Sequence, residues 1–174
     1  IILYAGRVVK EKNMEAFLNL GNPGTKVVVG DGPERKLYET GHPEIVFTGY
    51  LGEDVYARAL SSADVFVFPS RTDTFGNAVL EAMASGLPVI VTREGGPAEQ
   101  VEDGATGRVV AGDEGGLATA MLELFDRPEL ARALGREDVA TTFAKRAENW
   151  RNVFDPSTGF VRGRHADGRW VEAF

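Results

Sequence analysis

Asp64-Val65-Phe66-Val67-Phe68-Pro69-Ser70-Arg71-Thr72-Asp73-Thr74-Phe75-Gly76-Asn77-Ala78-Val79-Leu80-Glu81-Ala82-Met83-Ala84-Ser85-Gly86-Leu87-Pro88 is the stretch that decides the fold. Asp64 to Phe68 reads as a buried strand, because its apolar run is β-branched and aromatic. A loop of small and polar residues follows. Asn77 to Ser85 then carries apolar residues at helical spacing and stops at Gly86. The same alternation extends outward in both directions. Strands are predicted at Ile1 to Ala5, Thr25 to Val29, Ile45 to Thr48 and Pro88 to Val91, with a weaker one at Gly107 to Val110. Helices are predicted at Asn13 to Leu20, Glu34 to Thr40, Glu53 to Ser62, Pro97 to Glu102, Gly115 to Phe125 and from Pro128 onward. This βαβ rhythm predicts an α/β fold, a mainly parallel sheet with helices on both faces. In the last of the bounded helices, Leu117, Met121, Leu122, Leu124 and Phe125 read as a core-facing stripe.

Composition removes several classes of function. The 174 residues carry 19 Lys+Arg against 26 Asp+Glu, a formal net charge of -7 that would repel a phosphate backbone. Without cysteine there is no disulfide framework, zinc–thiolate site or thiol nucleophile. No apolar run reaches the roughly 18 residues of a spanning helix. The opening Ile1-Ile2-Leu3-Tyr4-Ala5-Gly6 is a strand without an initiating Met, so the expectation is a sequence that begins inside a larger protein. A cytoplasmic location is expected.

In open parallel sheets the ligand crevice lies at the carboxyl ends of the strands, so the residues leaving each strand are the first candidates. Gly6 and Arg7 leave the first strand, with Lys12 five residues on; the two cations suit a diphosphate. Gly30 and Gly32 leave the second without side chains to block a ligand, and Pro33 is placed to open the next helix. After the Asp64 to Phe68 strand, the free N–H groups near Phe75, Gly76 and Asn77 and the helix dipole favour an anion or an array of hydroxyls. Glu81 lies one turn beyond Asn77 on the same face, where a carboxylate can accept from a ribose diol, and Asp73 in the loop can do the same for a sugar ring. From spacing alone the plainer readings stay open: solvated cations, turn glycines, a capping Asp73 and an ordinary helical Glu81.

Other chemistries lack their residues. Gly30-x-Gly32 is not completed to a dinucleotide fingerprint, and there is no P-loop and no Gly-x-Ser-x-Gly elbow. No Asp-x-Asp pair appears, and His42 and His165 stand far apart, so no metal is expected.

Four segments together resemble the C-terminal domain of family 4 retaining glycosyltransferases: Gly6-Arg7-x-x-x-Glu11-Lys12-Asn13, Val29-Gly30-Asp31-Gly32-Pro33, Phe47-Thr48-Gly49-Tyr50-Leu51 and the Pro69 to Pro88 block. The resemblance spans residues 1–142. It implies the Rossmann-like C-terminal half of a two-domain GT-B fold, binding a UDP- or GDP-sugar without metal or further cofactor. By carry-over, Arg7 and Lys12 would hold the diphosphate and stabilise the leaving group. Glu81 matches the second acid of the family's Glu-x7-Glu motif, at the ribose. Asp73 takes the first acid's place, where many members have Glu, and would contact the donor sugar with the backbone of Phe75, Gly76 and Asn77. The implied partners are the donor, a glycan or lipid acceptor and an N-terminal domain that holds the acceptor site, with a location in the cytoplasm or at the inner face of the membrane. Alone, the chain is expected to bind donor at most weakly and transfer little or nothing; a non-catalytic nucleotide-sugar-binding module or an inactive fragment is the alternative.

The rhythm stops after about Thr142, and a domain boundary is placed between residues 146 and 147. Asn149-Trp150-Arg151-Asn152-Val153-Phe154-Asp155-Pro156, with Gly159-Phe160 and Arg162-Gly163-Arg164, resembles a short stretch of family 92 glycoside hydrolases, calcium-dependent α-mannosidases. It carries no complete pair of catalytic carboxylates, so no hydrolysis is inferred. A chimeric tail and a native extension packing its aromatic residues are both open.

Overall fold

Short runs of Val, Ile and Phe that are apolar at every position suit strands covered on both faces, because alternate side chains of a central parallel strand meet helices on either side. The computed structural model describes residues 1–21 and 24–126, and the backbone of two short strands at 154–155 and 160–161. Six parallel strands, β1 (Ile2–Ala5), β2 (Lys26–Val29), β3 (Val46–Gly49), β4 (Val65–Phe68), β5 (Val89–Thr92) and β6 (Gly107–Val110), lie in the order β3-β2-β1-β4-β5-β6. Helices α1 (Met14–Leu18), α2 (Arg35–Gly41), α3 (Glu53–Ser61), α4 (Asn77–Ala84) and α5 (Glu114–Asp126) flank the sheet. This is the doubly wound, Rossmann-like order, whose direction of winding reverses between β1 and β4. The remaining strands, β7 (Phe154–Asp155) and β8 (Phe160–Val161), pair antiparallel as a separate ribbon.

β1, β4 and β5 are buried along their whole length, whereas edge strand β3 leaves Val46 exposed. Tyr4 and Phe68 stack at 6.0 Å, and Phe66 stacks on Phe68 at 6.2 Å, so an aromatic layer crosses the β1–β4 junction. Above it the Tyr4 hydroxyl donates to the Arg7 carbonyl at 3.0 Å, which supports the first turn of the loop leaving β1. Burial, and secondarily the charge of Asp73, pushes the Tyr4 phenol far up, so it stays a neutral donor.

The helices depart from the expected pattern in three places. Pro97 to Glu102 is a tight 3-10 turn, Gly96–Gln100, rather than an α-helix. Pro33 sits in the entry turn two residues ahead of α2 rather than opening it. Leu117, Met121 and Leu124 face the core from α5, but Leu122 is exposed, because it lies a quarter-turn off that stripe. The side chain of Phe125, the predicted helix from Pro128, the 146/147 boundary and both tryptophans lie outside the described residues.

Between a 3-10 turn at Lys10–Lys12 and α1 stands Asn13, with φ 56° in the left-handed region. Asn tolerates that conformation better than most residues. Its Nδ2 donates to Pro69 O at 3.1 Å and Gly112 O at 2.8 Å, tying the loop after β1 to those leaving β4 and β6. Asn13→Ala loses both bonds and the tolerated backbone, with an expected cost of about 2 to 3 kcal/mol. Asn13→Gly, which keeps the backbone, should cost measurably less in urea unfolding.

Candidate functional site

The loops leaving the first three strands are joined by main chain before any side chain is considered. Gly6 N donates to Val29 O at 3.0 Å, Val8 N to Asp31 O at 2.9 Å and Gly30 N to Gly49 O at 2.9 Å. These contacts account for the glycines more directly than room for a ligand does. A Cβ on Gly30 would stand 2.0 Å from Gly6 O, and one on Gly32 would stand 2.1 Å from Val8 O. The space that both glycines were expected to leave for a ligand is occupied by neighbouring backbone, although Gly30 also lines the cavity described below.

Across the winding reversal, Glu11, Lys12 and Asn13 clasp the loop after β4. Thr72 Oγ1 donates to Glu11 O at 3.2 Å, Lys12 Nζ to Asp73 Oδ1 at 2.5 Å, and Asn13 holds Pro69 O. Lys12 and Asp73, expected at a diphosphate and a sugar, are thus brought together as an ion pair, each about one-fifth exposed. The second Asp73 oxygen, Oδ2, is buried and takes no hydrogen bond in this arrangement. Buried acceptors are rarely left so, which marks a position where a hydroxyl donor would gain.

From the far side, Gly95-Gly96-Pro97 buttresses the same loop. Gly96 N donates to Asp73 O at 2.8 Å, and Gln100 Nε2 donates to Phe75 O. A Cβ on Gly96 would stand 1.8 Å from Thr74 O, and one on Gly76, at φ 81°, would stand 2.7 Å from Pro97 Cγ. Sequence reasoning placed Pro97 only at the start of a predicted helix.

Among the described residues, two depressions adjoin these loops. The first, about 520 Å³, lies over the carboxyl ends of β1 and β2, where Gly6, Arg7 and Gly30 face Asn77, Ala78 and Glu81 of α4. Five of the ten residues expected at the site, Gly6, Arg7, Gly30, Asn77 and Glu81, converge there. Arg7 has no ion-pair partner among the described residues, and the leading N–H groups of α4 have no intrahelical carbonyl to meet. This end of the cavity suits an anion. Glu81 lies deeper along α4, and Tyr56 of α3 donates to its Oε2 at 2.9 Å. Burial first, then the Glu81 charge and this hydrogen bond, pushes the Tyr56 phenol strongly upward.

The second depression, about 650 Å³ and broadly open, adjoins Asp73 with Arg71, Arg93 and Glu99. Lys12, Gly32, Phe75 and Gly76 line neither, and Phe75 is exposed. Tyr50, Glu53 and Tyr56 line the first cavity and were not among the expected residues. The Phe47-Thr48-Gly49-Tyr50-Leu51 segment pointed toward Tyr50, but nothing in sequence singles out Tyr56 on its helix.

The strand order and flanking helices define a domain of Rossmann-like, GT-B type. The family described as glycosyl transferases group 1 matches residues 1–127, and the chain belongs to it. Among curated relatives, it is 39% identical over 109 residues to a GDP-mannose-dependent alpha-mannosyltransferase of Corynebacterium glutamicum, covering 62% of this chain and 26% of that protein. It is also 39% identical over 148 residues to a protein of that name from Mycolicibacterium smegmatis, covering 82% of this chain and 40% of the relative. The chain therefore spans between a quarter and two-fifths of these relatives' length.

Two solved structures share the fold. The C-terminal domain of a glycosyl transferase group 1 family protein from Francisella tularensis matches with a TM-score of 0.71 and 22% identity, covering 84% of this chain and 85% of that one. Anabaena HepE in complex with UDP matches with a TM-score of 0.68 and 21% identity, covering 83% and 43%. The catalytic domain of glycosyl hydrolase family 92 matches residues 123–174. No helix among the described residues is long and apolar enough to cross a membrane.

The Lys12–Asp73 contact is shielded enough to matter for stability. Lys12→Met is expected to cost about 1 to 3 kcal/mol by leaving a shielded carboxylate unpaired, and adding Asp73→Asn should recover part of that loss. Chemical denaturation of the two single variants and the double variant measures the coupling.

Proposed function

We propose that this chain is the donor-binding part of a family 4 retaining glycosyltransferase, which transfers a hexose from a nucleoside-diphosphate sugar to a glycan or lipid acceptor. One observation carries the proposal: across a single cavity, an arginine with no ion-pair partner among the described residues and a helix N-terminus face a carboxylate one helical turn further along. That spacing suits a ligand with anionic phosphates at one end and an uncharged diol at the other.

In this assignment Arg7 and the α4 N-terminus take the diphosphate, and Glu81 accepts from the ribose hydroxyls. Lys12 joins them when the phosphates draw it from Asp73. Asp73, freed or with its unbonded Oδ2, meets the donor sugar beside the backbone of Phe75, Gly76 and Asn77. During transfer the bond between the anomeric carbon and the diphosphate oxygen breaks, the acceptor oxygen bonds that carbon on the same face, and the acceptor proton passes to the departing diphosphate. Arg7 and Lys12 stabilise the charge that gathers on the departing diphosphate, so the chemistry needs no metal. Exposed Tyr50, at the cavity lip, offers a ring against which a base can lie.

The acceptor site belongs to an N-terminal Rossmann-like half that closes over the donor, consistent with the share of the relatives spanned. By itself the chain binds donor and transfers little. We assign the domain to residues 1–146, with 147–174 as a distinct tail, and the location to the cytoplasm or the inner membrane face. The names of the two mannosyltransferase relatives favour a guanine nucleotide.

Calorimetric titration with GDP and with UDP tests the site. One of them is expected to bind, and Glu81→Ala should weaken it at least about tenfold, the loss of a charge-assisted hydrogen bond. A folded chain that binds neither at millimolar concentration, or a Glu81→Ala variant that binds as well, would contradict the assignment.

A further inference from the structure

Asp73 and Glu81, the two carboxylates assigned to the donor, are held in different ways. Asp73 is bound by an ammonium, whereas Glu81 is bound by the neutral phenol of Tyr56. A carboxylate only accepts hydrogen bonds, so the phenol donates and the bond has a defined direction. No ion pair to Glu81 occurs among the described residues, so its negative charge is not cancelled. Tyr56 reaches it from α3, a separate helix, and both residues line the same cavity. The arrangement fixes the Glu81 rotamer while leaving Oε1 and the remaining lone pair of Oε2 for a ligand. An uncancelled carboxylate repels phosphate and accepts from hydroxyls, so it also fixes which way round a nucleotide enters.

We propose that Tyr56 is a positioning residue that holds Glu81 to read the vicinal hydroxyls of a ribose, giving the cavity its preference for ribonucleotides over nucleotides lacking those hydroxyls. The proposal rests on Glu81 being the diol acceptor in the assignment above. Its own content is the role of Tyr56 and the resulting discrimination. The high proton affinity of the phenol keeps it a donor across the physiological range.

The test is calorimetric titration of the full chain, Tyr56→Phe and Glu81→Ala, each with GDP, UDP and their 2′,3′-dideoxy counterparts. Phenylalanine keeps the ring and removes only the donor. Tyr56→Phe is expected to weaken binding of the preferred ribonucleotide about tenfold while leaving the dideoxy form unchanged, so the ratio between the two collapses. Equal weakening of both forms would mean that Tyr56 acts only in packing, and would overturn the proposal. A Tyr56→Phe variant with wild-type affinities, beside a weakened Glu81→Ala, would also overturn it while leaving the donor site standing. Unchanged binding in Glu81→Ala, or no nucleotide binding by the wild-type chain, would remove the donor site and this proposal together.

Discussion

The carbonyl oxygen of Gly6 stands where any side chain on residue 30 would have to begin, and that of Val8 does the same for residue 32. Backbones can approach this closely only where one partner lacks a Cβ. The contact extends hydrogen bonding past the ends of β1 and β2 and draws in Gly49 at the end of β3, so the ends of three strands make one continuous floor. The cavity depends on this floor, because Arg7 projects from it and α4 faces it across the point where the sheet's winding reverses. A larger residue at position 30 would press on Gly6 and separate the loops.

Charge is distributed across that floor in a consistent way. Lys12 is shielded and already paired, so an incoming anion would have to compete with the Asp73 carboxylate for it. Arg7, at the exposed lip, has no such partner among the described residues. Glu81 is oriented by a phenol rather than by a cation. A ligand with phosphate at one end and hydroxyls at the other meets a complementary surface in one orientation only, and the reverse orientation would set phosphate against carboxylate. The Asp73 loop is gripped from both sides, by Glu11-Lys12-Asn13 and by Gly95-Gly96-Pro97. Its buried, unbonded Oδ2 is therefore a consequence of enforced placement rather than of slack.

Much of the fold was legible because parallel strands covered on both faces must be apolar throughout. The six runs between Ile2 and Val110 therefore stand out, and each observed strand begins and ends within one residue of its expected position. The 3-10 turn at Gly96–Gln100 was not legible, because its shape is imposed by the carbonyls of Asp73 and Thr74 from a distant loop. The site was legible where it follows local geometry: Gly6, Arg7 and Gly30 leave strands, and Asn77 and Glu81 share a helix face. It was not legible where it depends on contacts between elements. Sequence spacing gives no sign that Lys12 meets Asp73, that Tyr56 reaches Glu81, or that Gly32 is small on account of Val8.

Locating the ligand by amide chemical shifts tests the central claim most directly, that the nucleotide lies between the loop after β1 and the start of α4. With the chain labelled and titrated with GDP or UDP, the amides of Gly6, Arg7, Gly30, Asn77 and Ala78 are expected to shift together, while those of α5 stay still. Shifts confined to the depression beside Arg71, Arg93 and Glu99, with Asn77 and Ala78 unmoved, would contradict it.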